Sequence, residues 1–222
     1  MLKELFAIFQ KDTLLDRAYR RSYQMVDITW EMFLKAKKSL REMDINELDI
    51  NIYDRDIEVN KYQREVRRNV FSHLTVAGSH DIYSGLLLVS IIIDIERIGD
   101  YTKNIVELAL NHPARLHGGM FEDDLKRIEA AVEDMFSRVR KGFETTDVQD
   151  AEKLLSEYQW VNRLCDQHVI DYIKGLDKNI SSIDAVSLAL YFRYLKRINS
   201  HLRNVTTSVV NPFDQIGYKR RA

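Results

Sequence analysis

Two acidic residues with helical spacing, Glu96 and Asp100, stand in the segment DIERIGDYTKNI, residues 94–105. Residues four apart lie on one face of a helix, so the two carboxylates could share one cation. Carboxylate oxygens suit hard divalent cations and iron. The chain has 34 acidic residues, so such pairs also arise by chance, and Arg97 or Lys103 could neutralise this one. From the residues alone, a metal site and a simple ion pair both stay open.

The histidines and the lone cysteine offer little catalytic chemistry. None of the six histidines has a Glu three residues before it, which excludes the Glu-x-x-His ligands of ferritin-like di-iron proteins. The sequence also has no Gly-rich phosphate loop and no HExxH motif. Cys165 is predicted as a small residue within a helix. Five histidines are predicted in loops or at the surface: His73, His80, His112, His117 and His168. The chain is therefore expected not to be an enzyme.

Long helices must position the acidic pair, because the chain contains only two prolines and eight glycines. Leu, Ile, Glu, Lys and Arg are abundant and favour helices, and no stretch alternates like a strand. The fold class is predicted as all-α. Turn-like segments divide the helices: DIN (44–46), AGSHD (77–81), NHPARLHGG (111–119), TTDVQD (145–150) and DKNISS (177–182). A single helix is expected over 151–176.

The predicted helix that carries the acidic pair has two different faces. At 100° per residue, one stripe is apolar and is assigned to the core: Ile91, Ile95, Ile98, Thr102 and Ile105. The opposite stripe carries the polar residues: Glu96, Asp100, Lys103, Asn104 and Glu107. Gly99 lies between the two stripes and costs roughly 1 kcal/mol relative to Ala. Close packing of a neighbouring helix is the expected reason for it.

The two halves of the chain align with each other. Val59-Asn60 matches Val161-Asn162 at an offset of 102, and ERIGDY at 96–101 matches KRINSH at 196–201 at an offset of 100. Self-similarity at a fixed distance is the signature of an internal repeat. The sequence therefore predicts a duplicated three-helix unit, as two tandem antiparallel three-helix bundles packed side by side.

The predicted repeat and the breaks give four segments. Residues 1–16 form a short N-terminal helix, 17–113 the first repeat, 118–212 the second repeat, and 213–222 a basic tail.

Composition restricts the partners and the compartment. The net charge of −1 gives no reason to expect nucleic acid or an anionic membrane as the main partner. One cysteine indicates a reducing compartment. The longest apolar stretch, 86–93, is too short to span a bilayer, and the charged N-terminus does not read as a signal peptide. A cytoplasmic protein without membrane insertion is expected, and a homodimer is left open.

The motif ERIGD, followed by the spaced Asn104-Ile105, resembles the hallmark of the PhoU family of phosphate-regulon proteins. PhoU proteins are also duplicated three-helix bundles of about this length, so the resemblance covers nearly the whole chain. It implies a cytoplasmic negative regulator of phosphate uptake and homeostasis. Such a regulator would be a non-catalytic adaptor between a phosphate transporter complex and a histidine kinase.

The resemblance also implies a metal site, because some PhoU proteins hold metal clusters on paired Glu/Asp-x-x-x-Asp motifs. Glu96 and Asp100 match that motif on the third helix, and Asp56 and Asn60 are the candidate partners on the second helix. Iron or another divalent metal is the implied ligand, and a chain without metal is the alternative.

The second half departs from the family pattern. Lys196 and Ser200 replace the acidic pair, and Tyr158 and Asn162 replace the second-helix pair. A metal is therefore expected only in the first half. His201 matches the common histidine of the family motif and is expected to be structural.

Two other functions stay open beside the phosphate regulator. One is a PhoU-like regulator of another transporter, or a metal-binding helical protein without that partner. The other is a metal-dependent enzyme with an iron or manganese carboxylate site, which the lack of a nucleophile or histidine ligand set disfavours.

Overall fold

The computed structural model describes residues 13–43, 51–145 and 147–218. Over these residues the chain forms seven α-helices: α1 (Leu14–Arg41), α2 (Ile52–Ala77), α3 (Ile82–Asn111), α4 (Glu122–Thr145), α5 (Val148–Glu157), α6 (Gln159–Ile173) and α7 (Ser182–Val210). Short 3-10 turns lie at Gly78–Asp81, Gly119–Phe121 and Phe213–Gln215. No strand occurs in the described ranges. The predicted all-α class is confirmed.

Capping side chains determine where several helices begin. Thr13 and Asp16 form a capping box, in which the Thr13 Oγ1 accepts from the Asp16 N–H and the Asp16 carboxylate accepts from the Thr13 N–H. Asp147 caps α5 and Ser181 caps α7 in the same way, by accepting from the backbone of the first turn. These contacts satisfy N–H groups that have no partner within the helix.

The first helix begins at Leu14. The boundary expected between residues 16 and 17 therefore falls inside α1. The rest of the predicted N-terminal helix, residues 1–12, and the basic end of the predicted tail, residues 219–222, lie outside the described residues.

The first repeat packs α1, α2 and α3 around one core. The stripe predicted on α3 is buried, with at most 1% of each side chain exposed: Ile91, Ile95, Ile98, Thr102 and Ile105. Met32 of α1 and Val59 and Val66 of α2 belong to the same apolar cluster. The helical period of the sequence therefore located the core of this repeat.

The second repeat has the same plan with one difference. The single helix expected over 151–176 is divided into α5 and α6 at Tyr158. Tyr158 has φ −102° and ψ 23°, and its hydroxyl donates to Asp134 Oδ2 of α4 at 2.8 Å. The expectation of one helix was wrong, and no Gly or Pro marks this break in the sequence.

The two bundles pack side by side, as predicted. Helix α3 of the first repeat packs along α7 of the second, and α1 contacts α4. Phe33 of α1 stacks on Phe136 of α4 with ring centroids 5.3 Å apart. Both repeats contribute to one continuous apolar cluster, so the repeats share a core.

Two histidines expected in loops or at the surface are buried instead. His112 and His168 are each only 4% exposed. His112 Nε2 lies 2.8 Å from Asp184 Oδ1, and His168 Nε2 lies 2.9 Å from Asp124 Oδ2. A carboxylate from another part of the fold compensates the burial of each ring.

Within the described residues, none of the helices combines the length and apolar character that crossing a bilayer requires.

Candidate functional site

The four residues predicted to bind metal lie on one face of the first repeat. Asp56 and Asn60 come from α2, and Glu96 and Asp100 come from α3. Lys103, one turn beyond Asp100, joins the two helices: its Nζ lies 3.0 Å from Asp56 Oδ2 and 3.5 Å from Asp100 Oδ1. The Asn60 amide also donates to Asp56 Oδ2, at 3.4 Å. We call these five residues the acidic face.

Glu96 is largely enclosed on this face, with 18% of its side chain exposed, as is Asp56, with 14% exposed. Burial raises the pKa of Glu96, and the negative charges of Asp100 and Asp56 raise it further, against the opposing effect of Arg97. Arg97 Nε is 3.9 Å from Glu96 Oε2, and Arg97 Nη1 is 3.5 Å from Asp100 Oδ2. The acids are therefore close enough to affect one another's ionisation.

The side chains of the acidic face pair with one another. Among the described residues, no group of three or more His, Cys, Asp or Glu is placed to hold a metal ion. The Lys103 ammonium lies between the two aspartates, and Asn60 offers Asp56 a donor N–H. A cation of the chain itself therefore lies among these acids.

Gly99 is buried beside the acidic face and points towards α1 and α2. A Cβ on Gly99 would lie 3.6 Å from Thr29 Cγ2 and 3.8 Å from Val59 Cγ1, which are ordinary van der Waals distances. Close packing is tighter at Gly85 of the same helix, where a Cβ would lie 2.9 Å from Val70 Cγ1. The expected approach of a neighbouring helix is present at Gly99, but it leaves room for a methyl group.

The corresponding face of the second repeat carries different chemistry. Lys196, in the place of Glu96, pairs with Asp166 through both carboxylate oxygens at 2.6 Å. Asn162 donates to Ser200 Oγ at 2.9 Å and accepts from Asn199 Nδ2 at 2.9 Å. The duplicated positions therefore hold one ion pair beside a neutral hydrogen-bond network.

The two motif helices meet through a polar cluster that sequence reasoning missed. Asp94 of α3 accepts from His201 Nδ1 at 2.7 Å and from Asn204 Nδ2 at 2.8 Å, both on α7. Tyr101, at the position that corresponds to His201 in the first repeat, stacks on the His201 ring with centroids 5.8 Å apart. The offset of 100 between the repeats could have revealed this cluster, because equivalent residues of a two-fold repeat meet near its axis. The expected structural role of His201 fits this position.

The fold and the duplicated motif define a class of all-helical proteins made of two tandem three-helix repeats. The family model described as the PhoU domain matches residues 23–109 and 125–209. These ranges span most of the described helices, and the chain belongs to the PhoU family.

Solved structures with the same fold agree with this assignment. PhoU from Pseudomonas aeruginosa is 18% identical, with a TM-score of 0.79 over 89% of this chain and 95% of that chain. The phosphate transport system regulatory protein PhoU from Streptococcus pneumoniae is 16% identical, with a TM-score of 0.72 over 88% of this chain and 93% of that chain. A comparison with curated protein sequences gave no match.

Proposed function

We propose that this protein regulates phosphate uptake as a non-catalytic adaptor that contacts a phosphate transporter and its histidine kinase. The observation that carries the proposal is the pair of PhoU-domain matches, one in each repeat. The structurally similar chain from Streptococcus pneumoniae is itself described as a phosphate transport system regulatory protein.

The surface of the two repeats supports a role in binding. Phe71 is 72% exposed, and Ile173, its counterpart at the offset of 102, is 77% exposed. Leu86 and its counterpart Val186, at the offset of 100, are 42% and 62% exposed. Large apolar side chains at the surface are available for contacts with other proteins. Both repeats expose them at corresponding positions, which suits a partner that engages the two repeats in a similar way.

The single cysteine supports a function without covalent catalysis. Cys165 is fully buried, and burial raises its pKa to about 12. A reactive cysteine needs access to its substrate and a lowered pKa, since the thiolate is the nucleophile. Cys165 therefore acts as a small core residue, as the sequence predicted.

Deletion of the gene tests the proposed function. Cells that lack the protein should take up labelled phosphate faster than wild type in phosphate-rich medium, and the wild-type gene should restore the lower rate. Unchanged phosphate uptake would contradict the proposal. If uptake of a different ion changes instead, the protein regulates another transporter.

A further inference from the structure

A cavity of about 660 Å³ lies on the second repeat, at the break between α5 and α6. Polar and charged residues from α5, α6 and α7 line it, among them Glu152, Gln159, Asn162, Arg163, Ser200 and Arg203. We call it the Arg203 cavity. Its volume falls in the range of pockets that bind small molecules, about 300–1,000 Å³.

Arg203 is a half-buried cation in this cavity, and no carboxylate among the described residues pairs with it. Its Nη1 donates to the backbone carbonyl of Leu155, in the last turn of α5, at 2.8 Å. Burial alone lowers the pKa of Arg203, although a guanidinium stays protonated at neutral pH. In contrast, Arg138 of the same repeat has Asp150 at 2.8 Å and Glu157 at 2.9 Å.

The corresponding position of the first repeat has carboxylate partners that Arg203 lacks among the described residues. Arg203 occupies the position of Lys103 at the offset of 100. In the first repeat, Asp56 and Asp100 neutralise Lys103. Their counterparts in the second repeat are Tyr158 and Ser200. The second repeat therefore has a cation at this position without the two carboxylates that face Lys103 in the first repeat.

A second guanidinium lines the same cavity. Arg163 is exposed on α6, and no described carboxylate lies within ion-pairing distance of it. Glu152 is the acid among the described lining residues, and it is exposed on α5. Among the described lining residues, two positive charges therefore stand against one negative charge.

Neutral donors add to the two cations. The Asn162 amide donates one N–H to Ser200 Oγ and has a second N–H, and the Gln159 amide also lines the cavity. Capping the end of α5 occupies only one of the five N–H groups of Arg203. Most of its hydrogen-bonding capacity is left for a ligand.

We propose that the Arg203 cavity binds an oxyanion, with the half-buried Arg203 as the anchor and Arg163 as a second, more exposed contact. Guanidinium groups offer planar, paired N–H donors that match the oxygens of a phosphate or sulfate. The oxyanion is either free inorganic phosphate or the phosphate group of a larger small molecule. This site would exist whether or not the protein regulates a transporter, so the two proposals can fail separately.

Titration calorimetry on the full chain tests the site, first with inorganic phosphate and then with a nucleoside monophosphate. Wild type should bind at least one of them saturably, and the tighter ligand identifies the source of the oxyanion. Arg203→Gln should weaken binding by about tenfold or more, the usual effect of losing a charge-assisted hydrogen bond. Arg163→Gln should weaken it by about threefold to tenfold.

Arg193→Gln is the matched control, because Arg193 is exposed on α7 and does not line the cavity. Its affinity should equal that of wild type. Arg163 is exposed, so its variant keeps the test valid even if Arg203→Gln fails to fold. The proposal is overturned if wild type binds neither anion, or if both cavity variants bind as tightly as wild type. Arg203 would then serve only to cap α5.

Discussion

At the scale of single residues, Lys103 provides a test of what the acidic face binds. Its ammonium lies between Asp56 and Asp100, in the place that a shared cation would take. The prediction of a metal at Asp56, Asn60, Glu96 and Asp100 stays a prediction, and Lys103 makes it testable. A carboxylate that loses its lysine partner becomes available to a hard divalent cation.

We predict that Lys103→Met retains more metal than wild type after incubation with Mn²⁺ or Fe²⁺ and gel filtration. Elemental analysis of the purified proteins measures this, with the double variant Lys103→Met/Asp100→Asn expected to lose the gain. The matched control is Lys141→Met, since Lys141 is exposed on α4, away from the acidic face. The acids bind metal despite the lysine if two results are found together. Wild type and Lys103→Met would contain equal amounts of metal, and Asp100→Asn alone would remove that metal.

The acidic residues of this face were predicted from the sequence, but the cation that neutralises them was not. Asp100 and Lys103 are three residues apart on one helix, whereas Asp56 reaches Lys103 from α2. Which cation neutralises which acid depends on how α2 and α3 pack. Similarly, the burial of His112 depends on Asp184, 72 residues away in the chain. Histidine is of intermediate burial on average, so its residue type alone does not predict such a position.

At the scale of the helices, two glycines of α3 serve different purposes. Gly85 lies where a Cβ would be 2.9 Å from Val70 Cγ1 and 3.0 Å from Leu74 Cδ1. At Gly99 the nearest atom would be 3.6 Å away. Gly85 therefore permits the close approach of α2 to α3, whereas Gly99 leaves space that a methyl group could fill.

We predict opposite effects of alanine at these two positions. Gly99→Ala should raise the free energy of unfolding by about 0.5–1 kcal/mol, because alanine favours the helix and fits the space. Gly85→Ala should lower it by about 1–3 kcal/mol through overpacking. Urea denaturation of both variants beside wild type measures the difference. Destabilisation by both substitutions to the same extent would contradict this interpretation of the two sites.

The helical period and the turn-like segments of the sequence predicted most of the helices, because the period follows which side chains are buried. The core stripe of α3 was found in this way. The division of α5 from α6 was not, since the residues around Tyr158, SEYQW, contain no helix breaker. That division also positions the Arg203 cavity, so the cavity was not visible in the sequence.

At the scale of the whole molecule, a buried polar network joins the two repeats. Arg41 of α1 contacts Glu129 of α4 at 3.0 Å and Glu122 at 2.6 Å, and it donates to the Leu116 carbonyl. Tyr191 of α7 donates to Glu129 at 2.8 Å. Burial raises the pKa of Glu129, although Arg41 and the Tyr191 hydroxyl act in the opposite direction. The network thus depends on Arg41 to keep a buried carboxylate compensated.

We predict that Arg41→Met lowers the free energy of unfolding by about 3–5 kcal/mol at pH 7, because it leaves a buried acid unpaired. Without Arg41, the pKa of Glu129 should rise further. Since a raised native pKa makes the folded state bind a proton more tightly than the unfolded state, this group's contribution to stability falls as pH rises above the ordinary range of glutamate. The loss in Arg41→Met should therefore be smaller at pH 5.

Chemical denaturation at pH 5 and pH 7 measures this effect. Arg55→Met is the control, because Arg55 forms exposed ion pairs with Glu58 and Glu31 that contribute about 0–1 kcal/mol. A loss in Arg41→Met no larger than the loss in Arg55→Met would show that the network does not hold the repeats together.

The proposed function rests on physical contact between the two-repeat body and a phosphate transporter. Sedimentation with membranes measures that contact most directly, using the purified full chain and membranes from cells with or without the transporter. We predict saturable binding to membranes that contain the transporter and only background binding to membranes that lack it. Equal binding to both kinds of membrane, or binding to neither, would contradict the proposed function.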